Sequence, residues 1–378
     1  MRFRTLLMAA LLTLPIMPPL CLSAPNAEDD EGAVLVEVVT LLDRGGRVSW
    51  SSRRNLIAVD RIGGDGFYDV FSIRPDGTHL RRLTGVRDIV LPQLHNGQPA
   101  WHPSGKYIVF QSLDPELGGL RLIPYDLRWL VTAPGGGLNN NLWLMTSNGR
   151  RFWQLTHVKS RRGVLHPHFS HDGTQLLWSE IIKKKTGELG RWAIKIADFS
   201  FEAGKPRLSN IRTLRPNRLW FYETHGFSPD GGTILFSSVP VGGNFYDMEI
   251  YTLDLDTMVL TQLTDNDEWD EHAHFSPDGR RIVWASSEGI PQRKKVSRLR
   301  LDYWIMSADG SGQRRLTHFN DPQYPEYIEG GVVAADCDWG PDGESIAAYL
   351  IRGRADERRP DLTVLLKLDI GALECGDR

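Results

Sequence analysis

Five of the eleven histidines fall in three adjacent columns of three short, similar segments, with His225 in the middle column, and several carboxylates accompany them. Imidazole nitrogens are common ligands of divalent metals, and nearby carboxylates complete or orient such sites. The candidate residues are His166, His168, Glu223, His225, Glu271, His272, His274, Asp336 and Asp338. These groups could hold a divalent metal, bind an acidic ligand or supply a general base. They could equally line a wet channel or form hydrogen bonds between neighbouring structural units.

These columns are defined by a repeat unit, which consists of an aromatic residue, a tight turn of the Ser-Pro-Asp-Gly type and an apolar strand. Two copies match fully, at 227–238 and 275–287, and four are weaker. The aromatics that begin the six copies are Trp50, Trp101, Phe169, Phe227, Phe275 and Trp339. Their spacing averages about 58 residues and is uneven. The variation in length therefore belongs to loops.

Each copy predicts four short strands separated by turns in which Pro pre-sets φ and Gly supplies a positive φ. Four copies close with Leu-Thr, at 83–84, 155–156, 263–264 and 316–317. Six such units predict an all-β, six-bladed β-propeller of four-stranded blades. The last unit has no convincing fourth strand, so residues 33–42 are predicted to complete the final blade and close the ring. An unattached N-terminal strand is the alternative.

The repeat also predicts where the histidines lie. We expect the innermost strand of each blade to begin within a residue or two of the aromatic. The histidine pairs stand one and three residues before it, and side chains on a strand alternate between two faces. Both positions should therefore share one face near the mouth of the central channel, where successive blades would bring the imidazoles together.

The Ser-Pro-Asp-Gly turns, flanking aromatics and Leu-Thr strand ends resemble the propeller repeats of TolB-like proteins over about residues 46–370. The resemblance implies a periplasmic or extracellular propeller that binds protein or other ligands at its channel. Related propellers occur in oligogalacturonate lyases and in prolyl peptidases. True TolB proteins carry an α/β domain ahead of the propeller, which the short stretch before residue 33 is not expected to supply.

Residues 1–27 predict a secretory signal peptide, with Arg2 and Arg4 ahead of a short apolar run and small residues near the cleavage site. The propeller then occupies 33–378, in the periplasm or outside the cell. The remaining sequence contains no apolar run long enough to span a bilayer. The chain carries 44 basic and 47 acidic residues, which excludes a nucleic-acid binder that depends on overall basicity.

Three further features leave alternatives open. Cys337 and Cys375 could form a disulfide in an oxidising compartment or remain two buried thiols. The insertion at 113–139 could be a lid or a partner contact, or could pack over a blade edge. The basic insertion at 287–300 could dock on an anionic surface or be a solvated loop. The sequence contains no Gly-x-Ser-x-Gly, His-Glu-x-x-His or phosphate-binding loop motif.

Together these observations predict an exported, monomeric propeller that acts as a binding or scaffold module. Its partner would be an envelope or extracellular protein, or a small ligand at the channel mouth. The alternative is a metal-dependent enzyme of the polysaccharide lyase or hydrolase type that uses the histidine-rich mouth. No cofactor is predicted other than the divalent metal that this alternative requires.

Overall fold

The computed structural model describes residues 34–370 except 86–90, 92–94, 115–133, 161, 184–189, 241, 245, 292–295 and 353–358. The predicted signal peptide, Cys375, most of the 113–139 insertion and part of the basic insertion lie outside the described residues. Short 3-10 turns occupy Pro134–Gly136, Pro216–Arg218 and Val296–Arg298. Within the described ranges, no helix is long and apolar enough to cross a membrane.

The strands form six four-stranded antiparallel sheets, which confirms the six-bladed propeller. Blade one contains β2 (Val48–Ser51), β3 (Leu56–Ile62), β4 (Tyr68–Ile73) and β5 (Arg81–Arg82). Blade two contains β6 (Asn96–Trp101), β7 (Tyr107–Leu113), β8 (Asn140–Thr146) and β9 (Phe152–Gln154). Blade three contains β10 (Gly163–Phe169), β11 (Gln175–Lys183), β12 (Arg191–Glu202) and β13 (Lys205–Leu214). Blade four contains β14 (Glu223–Phe227), β15 (Thr233–Ser238), β16 (Glu249–Asp254) and β17 (Leu260–Gln262). Blade five contains β18 (Asp270–Phe275), β19 (Arg281–Ser286), β20 (Asp302–Ser307) and β21 (Arg314–Arg315). Blade six contains β22 (Val332–Trp339), β23 (Ser345–Arg352), β24 (Leu362–Asp369) and β1 (Val34–Asp43).

The N-terminal strand closes the ring, as the sequence predicted. β1 pairs antiparallel with β24, from Val34 opposite Asp369 to Asp43 opposite Leu362, and becomes the outermost strand of blade six. The innermost strands β2, β6, β10, β14, β18 and β22 contact one another in turn around the central channel. The chain ends of the propeller are thereby joined through a single sheet.

The apolar core lies between neighbouring blades. Val109 and Leu142 of blade two pack with Leu176 and Trp178 of blade three, and all four side chains are buried. Each sheet has two apolar faces, and a single blade could not bury both. Closure of the ring therefore supplies the core that holds the inner strands in place.

The repeat aromatics lie at or near the ends of the innermost strands, as the order of aromatic and turn implies. The expectation that these strands begin within two residues of the aromatic holds for β2 and is wrong for the other five. Trp101 is the last residue of β6, Phe227 the last of β14 and Trp339 the last of β22. The tight turn begins directly after each aromatic, and the hydrogen-bonded pairing of the strand stops there. In blade five, Ser276 Oγ donates to Asp278 Oδ1 at 2.5 Å and accepts the Arg281 N–H at 3.0 Å. The strand must therefore precede the aromatic, and the histidines lie within it.

The Leu-Thr signature is a clasp between the third and fourth strands. Thr317 Oγ1 accepts the Tyr303 N–H at 2.9 Å and donates to Asp302 Oδ1 at 3.2 Å. Its neighbour Leu316 is buried in the core between blades. The same bond from a backbone N–H to the threonine hydroxyl recurs at Thr84, Thr156 and Thr264. The signature is thus a structural device of the blade.

Replacing Thr317 with Val should lower the free energy of unfolding by about 1–3 kcal/mol, because a buried N–H and a buried carboxylate oxygen lose a partner. Urea denaturation of both proteins measures the difference. Thr261→Val, at an exposed position of β17, is the matched control and should change stability little. Equal effects of the two substitutions would contradict the clasp.

Candidate metal centre in the central channel

The histidine pairs lie on β10 and β18, and each strand carries a β-bulge between its two histidines. The pairing of β10 with β11 shifts between Leu165 and His168. His166, inside that bulge, has φ 49°, and its counterpart His272 has φ 57°. Residues other than Gly rarely adopt this left-handed backbone conformation, which costs about 1–3 kcal/mol. Gln98, the equivalent residue of blade two, has φ 48°, so this strain recurs at one position of three blades and marks the channel as a candidate functional site.

The bulges also change which side chains reach the channel. Strict alternation predicts that His225, one position off the two histidine columns, faces away from them. The pairing of β14 with β15 shifts between Thr224 and Gly226, on either side of this residue. The His225 ring lies 5.9 Å from the His166 ring and 6.0 Å from the His272 ring, centroid to centroid. His225 therefore joins the cluster because of the bulge.

The deeper layer of the cluster is a triad of imidazoles. One ring nitrogen from each of His166, His225 and His272 lies within 4.8 Å of those from the other two. His166 is 6% exposed and His225 is 2% exposed. Three imidazole nitrogens from three different blades thus converge on one buried point, as a metal site requires.

Three of the predicted carboxylates border this triad. Glu223 Oε1 lies 2.7 Å from His166 Nε2, and Glu271 Oε2 lies 3.4 Å from His272 Nε2. Asp336 Oδ1 lies 3.6 Å from His166 Nδ1, and Asp336 Oδ2 lies 3.9 Å from His272 Nδ1. Glu223, Glu271 and His272 form a second group whose ligand atoms lie within 4.8 Å of one another.

The remaining predicted residues form a shallower layer. The His168 and His274 rings lie 5.6 Å apart, and His274 lies 6.3 Å from His225. Together with residues of all six blades they line a cavity of about 180 Å³. The six repeat aromatics form part of its wall: Trp50, Trp101, Phe169, Phe227, Phe275 and Trp339. This cavity, called the funnel below, therefore lies where His168, His225 and His274 meet the repeat aromatics.

Asp338 lines the funnel and belongs to neither metal-like group. Its Oδ2 accepts the Trp50 N–H at 2.6 Å, which joins blade six to blade one. Cys337, its neighbour, is buried, and its Sγ lies 3.7 Å from the His272 carbonyl oxygen. Since Cys375 lies outside the described residues, the proposed disulfide stays a prediction.

Burial keeps most of the imidazoles neutral. It lowers the pKa of His166 to about 4 and that of His168 to about 3, and it drives the pKa values of His225 and His274 well below the usual value. A neutral imidazole keeps the lone pair that a metal needs. His272 is different, because Glu271, Asp336 and Glu223 outweigh burial and raise its pKa.

The carboxylates divide into ionised and protonated groups. Burial alone would raise the pKa of Asp336, but His272, His166 and Arg47 hold it at about 2. Burial, and then the adjacent Glu223, raise the pKa of Glu271 to about 8. At neutral pH the centre therefore holds a proton on Glu271 and a negative charge on Asp336. A cation could displace that proton.

Two buried imidazole nitrogens of the triad have no hydrogen-bond partner, His225 Nδ1 and His272 Nδ1. The other nitrogen of His225 lies 2.6 Å from Ser237 Oγ, which fixes the orientation of the ring. Buried polar atoms are almost always satisfied, so two unpaired ones in the same cluster call for an explanation. A bound cation supplies it, since it would accept both lone pairs.

The contacts of His166 Nε2 conflict with one another. This atom lies 2.8 Å from Gln98 Nε2 and 2.7 Å from Glu223 Oε1. Gln98 Oε1 already accepts the His166 backbone N–H at 3.2 Å, so its amide N–H faces the ring. One nitrogen cannot accept from an amide and donate to a carboxylate at the same time. A cation that took the Nε2 lone pair would have to displace the Gln98 amide from it, and Glu223 Oε1 would then be the neighbouring ligand.

Sequence reasoning missed Arg47 and Gln98, which occupy the same column in blades one and two as His166 and His272. Arg47 lies between the rings of Tyr68 and Tyr349, at 5.9 and 5.8 Å. Its guanidinium nitrogens lie 3.3 Å from Asp60 Oδ2 and 3.7 Å from Asp336 Oδ2. The position of Arg47 and Gln98 in the repeat could have identified them. Both stand three residues before the aromatic, where the histidine blades also carry a polar residue.

Asp338 should make stability depend on pH, since burial raises its pKa to about 7 from the usual 3.8. Its protonated form is favoured by folding, so the stabilisation is full below about pH 4 and is lost as pH rises through about 7. Over that window the wild type should lose about 1.4 kcal/mol more per pH unit than Asp338→Asn. Thermal melting from pH 4.5 to 7.5 measures the two slopes. Asp256→Asn, at an exposed carboxylate, should keep the wild-type slope, and parallel curves for Asp338→Asn would contradict the assignment.

Solved structures of different function share this fold. A putative TolB from Agrobacterium tumefaciens has a TM-score of 0.51 and 19% sequence identity, with 79% of this chain and 85% of that chain covered. A gluconolactonase from Xanthomonas campestris has a TM-score of 0.51 and 15% identity, with 90% and 96% covered. At these identities the likeness shows the propeller fold alone, which agrees with the TolB-like repeats in the sequence.

Sequence comparison reaches less far. No family model matches the chain. Dipeptidyl-peptidase 5 of Porphyromonas endodontalis is 25% identical over 238 residues, which cover 58% of this chain and 33% of that enzyme. The chain spans about a third or less of the length of the curated relatives that it matches. Function must therefore be argued from the channel.

Proposed function

We propose that this chain is an exported, monomeric propeller that binds a divalent metal ion in its channel and a small ligand in the funnel above it. The triad of His166, His225 and His272 carries the proposal. Its ligand atoms lie within 4.8 Å of one another, and two of its buried nitrogens have no partner. Packing alone gives no reason to bury imidazoles in this state.

The donor set favours a metal of intermediate softness. Neutral imidazoles suit zinc, copper, nickel and iron, whereas an all-oxygen site would favour magnesium or calcium. Glu223 would add an anionic ligand beside His166. A divalent cation would compensate the negative charge of Glu223. The imidazoles of His166 and His225 would not, because burial holds them neutral.

The ligand is proposed to be a small molecule because of the size of the funnel. A cavity of about 180 Å³ with polar and aromatic walls admits a compact ligand from one end of the channel. The proposed place of action is the periplasm or the exterior of the cell, on the strength of the signal-peptide pattern in residues 1–27. An envelope protein that docks over the funnel would be the partner if no small ligand binds.

A metal-dependent enzyme is the second candidate, favoured by two imidazoles that line the funnel, those of His168 and His274. His168 Nε2 is buried without a hydrogen-bond partner, and the His168 ring lies 5.6 Å from that of His274. A neutral imidazole beside a bound ligand can take up a proton as a general base. In this case His168→Ala should abolish turnover while metal binding persists.

Metal analysis of protein purified without chelators tests the proposal. The wild type should retain about one equivalent of a transition metal, and after EDTA treatment it should take up Zn²⁺. His225→Ala should bind Zn²⁺ at least 100-fold more weakly, because one of three imidazole ligands is lost. His157→Ala, at an exposed histidine, is the matched control and should bind as the wild type does. Equal Zn²⁺ affinity in both variants would refute the site.

A further inference from the structure

The carboxylate side of the centre contains more negative charge than one cation accounts for. The side chains of Glu223 and Glu271 are 6% and 13% exposed, and both lie beside His272, with Glu223 Oε1 4.0 Å from its Nδ1 and Glu271 Oε2 3.4 Å from its Nε2. In the described part of the chain, neither lies within 4.0 Å of a Lys or Arg. Burying a carboxylate without a cation costs several kcal/mol. The pair therefore needs either a retained proton or a positive ion.

Arg47 supplies the fixed positive charge of this region, and its contacts are already taken. It pairs with Asp60 at 3.3 Å and with Asp336 at 3.7 Å. Together with Glu223 and Glu271, four carboxylates face one guanidinium, so three negative charges remain if all of them ionise. One divalent ion in the imidazole triad leaves a single negative charge. A second divalent ion would bring the sum to a single positive charge, so charge allows either occupancy and the positions of the ligand atoms decide.

The geometry for a second ion is present. The ligand atoms of Glu223, Glu271 and His272 lie within 4.8 Å of one another. If His272 binds the triad ion through Nδ1, its Nε2 keeps the ring proton and can donate it to Glu271 Oε2 at 3.4 Å, so the two carboxylates are the ligands of the second ion. Glu223 also reaches the imidazole triad, since its Oε1 lies 2.7 Å from His166 Nε2. A carboxylate in that position can bridge two ions, one on each oxygen.

We propose that the channel holds a dinuclear centre in which Glu223 bridges the ion of the imidazole triad and a second divalent cation held by Glu271 beside His272. This inference rests on the metal-binding function proposed above. The two positions differ in chemistry, because carboxylates prefer harder ions such as Mn²⁺ than imidazoles do. The centre should therefore take up Zn²⁺ first in the triad and accept Mn²⁺ in the second position.

A sequential titration tests the second position. EDTA-treated protein is loaded with one equivalent of Zn²⁺ and then titrated with Mn²⁺, while the EPR signal of free Mn²⁺ is followed. The wild type should bind one further Mn²⁺ per chain. Glu271→Gln should still bind the first Zn²⁺ but bind Mn²⁺ at least tenfold more weakly, a loss of about 1.4 kcal/mol. Glu344→Gln, at an exposed carboxylate, should match the wild type in both steps.

The outcomes separate this inference from the proposed function. If the wild type takes up Zn²⁺ but no Mn²⁺, or if Glu271→Gln binds Mn²⁺ as tightly as the wild type does, the second position is refuted and the first stands. If the wild type binds neither ion, both proposals fall. Glu271→Asp keeps the charge and withdraws the carboxylate by one methylene, so it carries the same expectation if Glu271→Gln does not fold.

Discussion

Deleting residues 34–43 should unfold the protein at temperatures at which the full chain is folded. β1 provides the outermost strand of blade six, and its loss exposes the whole hydrogen-bonding edge of β24. Leu41 and Leu42 are each 8% exposed and pack in one cluster with Trp50 of blade one. Emptying one buried leucine position costs about 2–5 kcal/mol, and the total stability of a domain is about 5–15 kcal/mol.

Circular dichroism melting measures this effect, and the register of the strands provides a control. Val34 pairs with Asp369, so residues 34–43 can be joined directly after residue 369 through a two-residue Asn-Gly turn. The rearranged chain should regain most of the lost stability because the same strand occupies the same edge. An unchanged melting temperature in the deletion variant would show that β1 does not close the ring.

Adding Zn²⁺ to EDTA-treated protein should raise its melting temperature by several degrees. A ligand that binds only the folded state stabilises it by about 2.7 kcal/mol at 100 times the dissociation constant. The imidazole triad exists only when blades three, four and five are assembled, so the unfolded chain offers no comparable site. The shift should grow with the logarithm of the Zn²⁺ concentration once the site is saturated.

Substitutions in the triad separate this effect from unspecific binding. His272→Ala should abolish most of the Zn²⁺-dependent shift, whatever its effect on the protein without metal. His157→Ala should preserve the shift in full, because this exposed side chain lies on the loop after blade two. If His272→Ala melts with the same Zn²⁺ dependence as the wild type, the stabilising ion binds elsewhere.

The fold could be predicted from the sequence because its repeat is local and each part has its own chemistry. The Ser-Pro-Asp-Gly turn and the Leu-Thr clasp both depend on short-range hydrogen bonds, such as those of Ser276 and Thr317. The missing strand of the last repeat then indicated where residues 33–42 belong. The start of most innermost strands was predicted too late in the sequence, because each strand precedes its aromatic and the tight turn follows at once.

The site could be predicted only in outline. Histidine columns in successive blades predicted that the imidazoles meet, and they do, with ring centroids 5.6–6.3 Å apart. The bulges were not predictable, because His166 and His272 adopt a left-handed backbone that Gly usually signals. The bulge at His225 and the placement of Arg47 depend on how neighbouring blades pack, which no single repeat encodes.

Anomalous X-ray diffraction from crystals grown with Zn²⁺ tests most directly whether the channel is a metal centre. Data collected on both sides of the zinc absorption edge locate the ion without prior assumptions about its ligands. We expect a strong peak in the channel, about 2.0–2.1 Å from the nitrogens of His166, His225 and His272. Zinc found only at surface sites, with the imidazoles of the channel unligated, would contradict it.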